Sequence, residues 1–302
     1  MSDELLGLVV VDKPKGLTSH DVVAVIRRAF GVRRVGHAGT LDPPATGVLL
    51  VGVGRATRLL RFLEATSKRY DGTLALGATT STLDATGTVT ATYDMSSVTD
   101  EEVQRAARTL VGDLDQVPPM VSAVHHEGRR LHELAREGVE VARAPRRVHV
   151  ERFDVAPLGD GSWSVGVECS PGTYVRSLAD DLGRALGGGA HLTSLRRTGV
   201  GRFSLDDASA LEAIRDGSLA PRELLMSPRS MVEHLGVVTL DAVSAAALAR
   251  GGTVHLDGPV EHVGEVAACD HAGALVAVAV LDRAGALRPE VVVASGASRD
   301  ED

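Results

Sequence analysis

Aromatic residues make up only 3% of this 302-residue chain, so its core must be built mainly from Val, Leu and Ala, and each aromatic ring invites a specific question. Cysteine is almost absent. Cys169 and Cys269 lie far apart, without CxxC spacing or histidine companions, which argues against a disulfide framework or a zinc site and leaves both as small buried residues. His125, His126 and His132 form no HExxH or comparable ligand set with the scattered carboxylates, and no Ser-His-Asp constellation is visible. No apolar run reaches the roughly 18 residues of a membrane span. The start, MSDELLGLVVVDKPKG, is acidic, with only a short apolar run from Leu5 to Val11, so a cytoplasmic protein that does not engage a membrane is expected. Excess positive charge is missing too. The net charge of −8 excludes a protein coated with cations, yet RRAFGVRR (27–34), RAPRR (143–147) and LRRTGVGR (195–202) are local basic clusters. They are either solvated faces or parts of one phosphate-binding surface.

What is present reads as a soluble globular chain, 44% hydrophobic and 24% charged, long enough for one large domain with an appendage. Leu8–Val11 reads as a short buried strand stopped by Pro14 and Gly16. In TSHDVVAVIRRAFG, Thr18 or Ser19 can cap a helix whose Val22, Ile26 and Phe30 share a face and which Gly31 can end. VLLVGVG and KRYDGTLALG read as strands, and TDEEVQRAARTLVG opens with a capping box of Thr99 and Glu102. Residues 118–148, rich in proline, histidine and arginine, read as a surface excursion. RVHVERFDVAPL and GSWSVGVECS are alternating strands about GDGS, and GTYVRSLADDLGRALGGG is a helix ended by glycines. Beyond residue 230 a small-residue helix and three brief strands suggest a β-rich module to about 295, followed by a disordered tail at 296–302.

Asp42 stands out chemically. Pro43 pushes its backbone out of the α region, so a carboxylate is presented on a stiff turn beside a strand. A turn aspartate can equally bond only its own backbone. His37, in GHAGT, can bind a phosphate, stack on a base or simply lie at the surface. GVGRAT lacks the lysine and the spacing of a phosphate loop, so triphosphate binding is not supported. Tyr70 heads an apolar strand, where its ring can stack on a base or belong to the core. Tyr174 and Arg176 fall at a helix N-terminus. Arg176 can hold a distant carboxylate bidentately or pair with Asp180 one turn on.

Five segments, VVVDKPKGLTSHDVV, GHAGTLDPPATGVLLVGVGRATR, KRYDGTLALGATTSTLDATG, QVPPMVSAVHHEGRRLHELAREG and CSPGTYVRSLADDLGRALGGGAHLTSLRRTGVGRF, resemble in order and spacing the TruB family of tRNA pseudouridine synthases, across roughly residues 7 to 203. The resemblance implies an α+β catalytic domain around a mixed, mainly antiparallel sheet at 1–230, with an RNA-gripping insertion at about 118–148 and a PUA-like RNA-binding module at 231–295. It implies isomerisation of uridine 55 in the tRNA T-loop, without a cofactor or metal, by a monomer that needs no obligate protein partner. Asp42 matches the catalytic aspartate, Tyr70 the tyrosine stacking on the target base, and Arg176 the arginine that pairs with the aspartate. His37 matches the histidine beside the flipped-out nucleotides, Tyr174 a second substrate-contacting tyrosine, Leu195 an apolar pocket residue, and Lys13 with Pro14 the early KP motif that positions the catalytic loop. On this reading the three arginine clusters face tRNA. Departures are His125 where many members carry lysine, His132 in place of a tyrosine, and TSTLDATG in the TDTxDxxG turn, which keeps Asp84. The rival functions are a non-catalytic tRNA-binding and folding protein, and a hydrolytic N-glycosidase acting on nucleosides.

Overall fold

The computed structural model describes residues 5–122, 125–126, 128–131, 134, 137–139, 141–256, 260 and 263–294. His132 and the tail at 296–302 fall outside the described residues, as does the side chain of His125. The first strand, β1 (Gly7–Lys13), is apolar on both faces because it lies inside a sheet covered on both sides. Helix α1 (Ser19–Phe30) follows, capped by the reciprocal Thr18–Asp21 box and closed by Gly31 at φ 64°. The short β2 (Val35–Ala38) and the long β3 (Thr46–Val53) come next, and β3 pairs antiparallel with β1 from Gly7↔Val53 to Lys13↔Gly47. Gly52 lies in β3, and from Gly54 the chain turns through a 3₁₀ segment, Gly54–Leu59, into α2 (Leu60–Glu64). β4 (Lys68–Leu76) leads to a hairpin of β5 (Ala78–Thr80) and β6 (Val89–Thr92), then α3 (Asp100–Thr109), with its Thr99–Glu102 capping box, and β7 (Gly112–Gln116).

Within the excursion β8 (His125–His126) pairs with β9 (Arg129–Arg130), and the chain re-enters the sheet through β10 (Arg146–Gly159) and β11 (Ser162–Cys169), whose alternating burial matches the alternating sequence. Helix α4 (Val175–Ala185) precedes β12 (Ala190–Val200), a strand the arginine-rich sequence did not suggest. β13 (Phe203–Ser204), β14 (Ser209–Ala210), α5 (Leu211–Arg215) and α6 (Pro221–Leu224) are short. The main sheet runs β14-β1-β3-β12-β4-β11-β10-β7, with β2 and β13 at its side. Only β14/β1 and β3/β12 are parallel, so the sheet is mixed and mainly antiparallel, as expected.

Beyond it, β15 (Gly236–Thr239), α7 (Ala242–Ala249), β16 (Val254–His255), β17 (Gly264–Cys269), β18 (Leu275–Leu281) and β19 (Ala286–Val292) build a second sheet in the order β15-β17-β18-β19-β16. This module does not hang on a linker. Met231, Cys269, Val278 and Val291 share a buried cluster with Leu8, Val48, Leu59 and Phe62, and Arg55 and Arg58 donate to the carbonyls of Ala294 and Val292. Both cysteines are buried and free.

The central crossing is between β3 and β12. Gly47 adopts φ +102°, and a Cβ there would lie 2.2 Å from the carbonyl oxygen of Arg197. Gly217 has φ +77° but open space around it. Gly47→Ala should therefore cost more than about 3 kcal/mol in urea unfolding. Gly217→Ala should cost about 1 kcal/mol.

Candidate active site

Asp42 sits on a turn held from both sides. The buried Ser19 hydroxyl accepts from the amide of Leu41 at 3.0 Å and donates to its carbonyl at 3.3 Å. On the other flank the Pro43 carbonyl accepts from the amide of Gly16 at 2.8 Å and from Lys13 Nζ at 3.4 Å. Lys13 is fully buried, and its ammonium also donates to the carbonyls of Pro14 and Leu17, at 3.0 and 2.7 Å. Burial lowers its pKa to about 8, with Asp42 pulling in the opposite direction. The KP sequence thus fastens the end of β1 beneath the aspartate turn, and Thr18 takes the cap of α1 so that Ser19 is free to hold Leu41.

Arg176 approaches from the first turn of α4. Its guanidinium contacts Asp42 Oδ2 at 2.9 Å and Asp84 Oδ2 at 3.8 Å, and donates to the carbonyls of Thr82 and Val121, both at 2.8 Å. The alternative partner Asp180, at the same i,i+4 spacing from both arginines, pairs with Arg184 at 2.8 Å instead. Asp84 is itself fixed, its Oδ1 accepting from Thr82 Oγ1 at 2.7 Å and from the amide of Thr86 at 2.9 Å. The side chain of Arg176 is 5% exposed and that of Asp42 is 40% exposed, so the cation is rooted in the protein and the carboxylate faces open space.

That space is a cavity of about 380 Å³. Its floor comes from neighbouring strands: Lys68 and Tyr70 share a face of β4, Leu195 and Arg197 share a face of β12, and the register sets Arg197 opposite Tyr70. Asp42, Ala45, Tyr174 and Arg176 form the walls. Tyr70 is a core residue and a cavity residue at once. It is 7% exposed, and burial raises the pKa of its phenol while a hydrogen bond from Arg197 opposes that rise. Tyr174 caps α4, and its backbone amide and carbonyl are both held by the Gln116 side chain, at 2.7 and 3.1 Å. A second cavity of about 140 Å³ lies across the Asp42–Arg176 pair, walled by Pro44, Leu192 and Leu195 with Lys15 at its side.

His37 does not line either cavity. It lies on β2 rather than on the turn, its ring edge-on to His20 at 5.3 Å, with a buried Nδ1 that has no hydrogen-bond partner among the described residues. Burial, with His20 and Arg197 adding to it, lowers its pKa to about 4, so the ring is neutral near pH 7 and offers a flat face rather than a cation. The third arginine cluster also departs from expectation. Arg196 pairs with Asp12 at 2.7 Å, Arg202 with Glu233 at 2.8 Å, and Arg197 is buried with its Nε on the Val48 carbonyl and a terminal nitrogen on that of Gly39. Arg196 and Arg197 are tied into the fold because β12 runs through the sheet interior, while Arg202 lies just beyond that strand. In the second cluster Arg147 bonds Asp113 and Arg143 the Pro118 carbonyl, whereas Arg27, Arg28, Arg33 and Arg34 stay on the surface. Sequence reasoning missed Lys68, Gln116 and Ser19 as site residues, and gave Asp84 no partner. Among the described residues no group of His, Cys, Asp and Glu is arranged to hold a metal ion.

Comparison with known proteins identifies the family and the fold. Residues 27–175 match the sequence model described as "TruB family pseudouridylate synthase (N terminal domain)", and residues 176–227 that of the "tRNA pseudouridylate synthase B C-terminal domain". The chain is 48% identical over 275 residues to the tRNA pseudouridine synthase B of Mycobacterium sp. (strain KMS), covering 84% of this chain and 93% of that protein. It is 48% identical over 277 residues to the enzyme of the same name from Rhodococcus jostii (strain RHA1), covering 90% and 89%. Among solved structures, Cbf5 in a Cbf5-Nop10-Gar1 complex superposes with a TM-score of 0.75 at 26% identity, over 97% of this chain and 86% of that one. An H/ACA RNP bound to a substrate RNA containing 2′-deoxyuridine gives 0.74 at 24% identity, over 96% and 86%, and shares the fold.

Arg176 satisfies two carbonyls and a buried carboxylate together, so its removal strands all three. Arg176→Met is expected to destabilise the protein by about 3 kcal/mol or more in urea unfolding. Arg176→Lys, which keeps the charge but cannot span the same partners, should lose roughly half as much.

Proposed function

The chain belongs to the TruB family of pseudouridylate synthases and isomerises uridine to pseudouridine in tRNA; from this premise we propose that its target is uridine 55 of the T-loop and that Asp42 is the catalytic carboxylate. The observation that carries the assignment is the Asp42 carboxylate, 2.9 Å from Arg176, on the wall of a cavity floored by Tyr70 and Leu195. A stacked base in a folded RNA loop is out of reach, so the enzyme must extrude it and offset a few kcal/mol of lost stacking inside the pocket. Tyr70 supplies the flat face, Leu195 the apolar edge, and Tyr174 a second contact at the mouth. With water excluded, Asp42 acts on the ribose and base while Arg176 holds it at a set position. Cleavage of the C1′–N1 bond, rotation of the ring and joining through C5 exchange no electrons with another molecule.

The neutral ring of His37, outside the cavity, is assigned to nucleotides that leave the loop beside the target. The exposed Arg27, Arg28, Arg33 and Arg34 on and after α1 are assigned to T-arm phosphates, which makes binding salt-sensitive. We assign residues 1–230 to the catalytic domain, with the insertion at 118–148 gripping RNA, and 231–295 to a PUA-like module that extends the RNA surface. The protein acts as a cytoplasmic monomer without an obligate protein partner. Among the described residues no helix is long and apolar enough to cross a membrane.

The test is pseudouridine formation on a T-arm transcript, read by mass spectrometry after derivatisation. Wild type should modify the T-loop uridine, and Asp42→Asn should be slower by roughly a thousandfold or more while binding the transcript as tightly. Retained activity in Asp42→Asn, or tight binding without product from wild type on a transcript that a known synthase modifies, contradicts the assignment.

A further inference from the structure

Two cations of the cavity floor are buried without an ion-pair partner among the described residues, the exposed Glu64 acting on Lys68 only at longer range. Arg197 is 1% exposed and Lys68 is 8% exposed, and among the described residues neither forms an ion pair. Their hydrogen-bond partners are neutral: Lys68 Nζ donates to the carbonyls of Glu64 and Thr66, both at 3.1 Å, and Arg197 to those of Val48 and Gly39, both at 2.8 Å, and to the Tyr70 phenol. Burying a cation without an anion is costly, and two side by side repel each other, so a fold that keeps both needs negative charge to arrive there. Asp42 and Asp84 do not provide it, since Arg176 already spans them.

We propose that Lys68 and Arg197 stabilise the negative charge that the uracil ring acquires when the C1′–N1 bond breaks. The inference rests on the isomerase reading of this site. In that step the bonding pair stays on the base and spreads over N1, O2 and O4, leaving C1′ electron-poor beside Asp42. After rotation the C5–C6 electron pair forms the C1′–C5 bond, a proton leaves C5 and N1 gains one, so atoms and electrons balance. Cations fixed beneath Tyr70 before the charge develops favour the transition state without reorganisation. The ring, rather than a phosphate, is the anion, because the two cations share the cavity lining with Tyr70 and Leu195, a flat face and an apolar edge that suit a base.

The experiment compares Lys68→Met and Lys68→Arg with wild type on a T-arm transcript, by single-turnover rates at saturating RNA and by binding across a salt series. Lys68→Met should lower the saturated rate about a hundredfold with an unchanged Kd and salt slope. Burial lowers the Lys68 pKa to about 8, with Arg197 acting in the same direction and Glu64 and Cys169 opposing it. The charged form is therefore lost as pH rises through about 8, and wild-type kcat/KM should fall there. Lys68→Arg should keep most of the rate and show a shallower alkaline fall, the remainder belonging to Lys13 beneath the aspartate turn, whose pKa burial also lowers to about 8. If Lys68→Met fails to fold, the alkaline limb of Lys68→Arg decides. A loss restored by more RNA, with a salt slope reduced by about one, would mean a phosphate contact and overturn the proposal. An unchanged rate, or an alkaline fall as steep in Lys68→Arg as in wild type, would overturn it too. A wild type that forms no pseudouridine contradicts the isomerase reading itself, separately from the role of Lys68.

Discussion

The ion pair between Asp42 and Arg176 joins two distant parts of the chain, and most of the site is arranged to hold its two ends independently. Arg176 is satisfied by Asp84 and by the carbonyls of Thr82 and Val121 before Asp42 is counted. Asp42 is positioned by Ser19 on one neighbour and by Gly16 and Lys13 on the other. Neither end needs the other to stay in place. The 2.9 Å contact thus spends little energy on ordering and presents a charged carboxylate at a defined point. Because Asp42 remains partly exposed, solvent screens the pair, and its value lies in geometry more than in stability.

The sheet explains why the pocket forms where it does. β12 runs parallel to β3 and antiparallel to β4, so it carries Leu195 and Arg197 between the aspartate turn and Tyr70. Gly47 lets the two backbones touch at that crossing, and Arg197 then reaches across to the carbonyls of Val48 and Gly39 on either side of the turn. The base-binding floor and the stiffness of the catalytic turn are therefore products of one strand crossing. The C-terminal sheet shares a hydrophobic cluster with β1, β3 and α2, which places it against the back of the same framework.

Much of this was legible along the chain, and what was not has identifiable causes. The proline after Asp42 and the capping residues of α1 and α3 act locally, so they could be read directly. The alternation in β10 and β11 reports burial on one face. Arg176 carried two readings, since spacing shows Asp180 and cannot show Asp42 or Asp84 arriving from other elements. β12 was obscured because arginines ordinarily mark a solvated surface. Here Arg196 finds Asp12 and Arg197 is buried among carbonyls, neither of which local sequence displays. Lys68 was hidden for the same reason. The 3₁₀ turn and α2 were masked by glycines that resemble strand and turn punctuation, and the position of His37 on β2 depends on pairing with β3.

The most direct test of the central claim is a structure of the protein with a T-arm stem-loop. The account predicts the target uracil out of the RNA stack and in the cavity on Tyr70, with C1′ of its ribose against the Asp42 carboxylate and the ring above Lys68 and Arg197. A complex in which the loop is bound elsewhere and the cavity holds no base, or in which Asp42 faces away from the ribose, would contradict it.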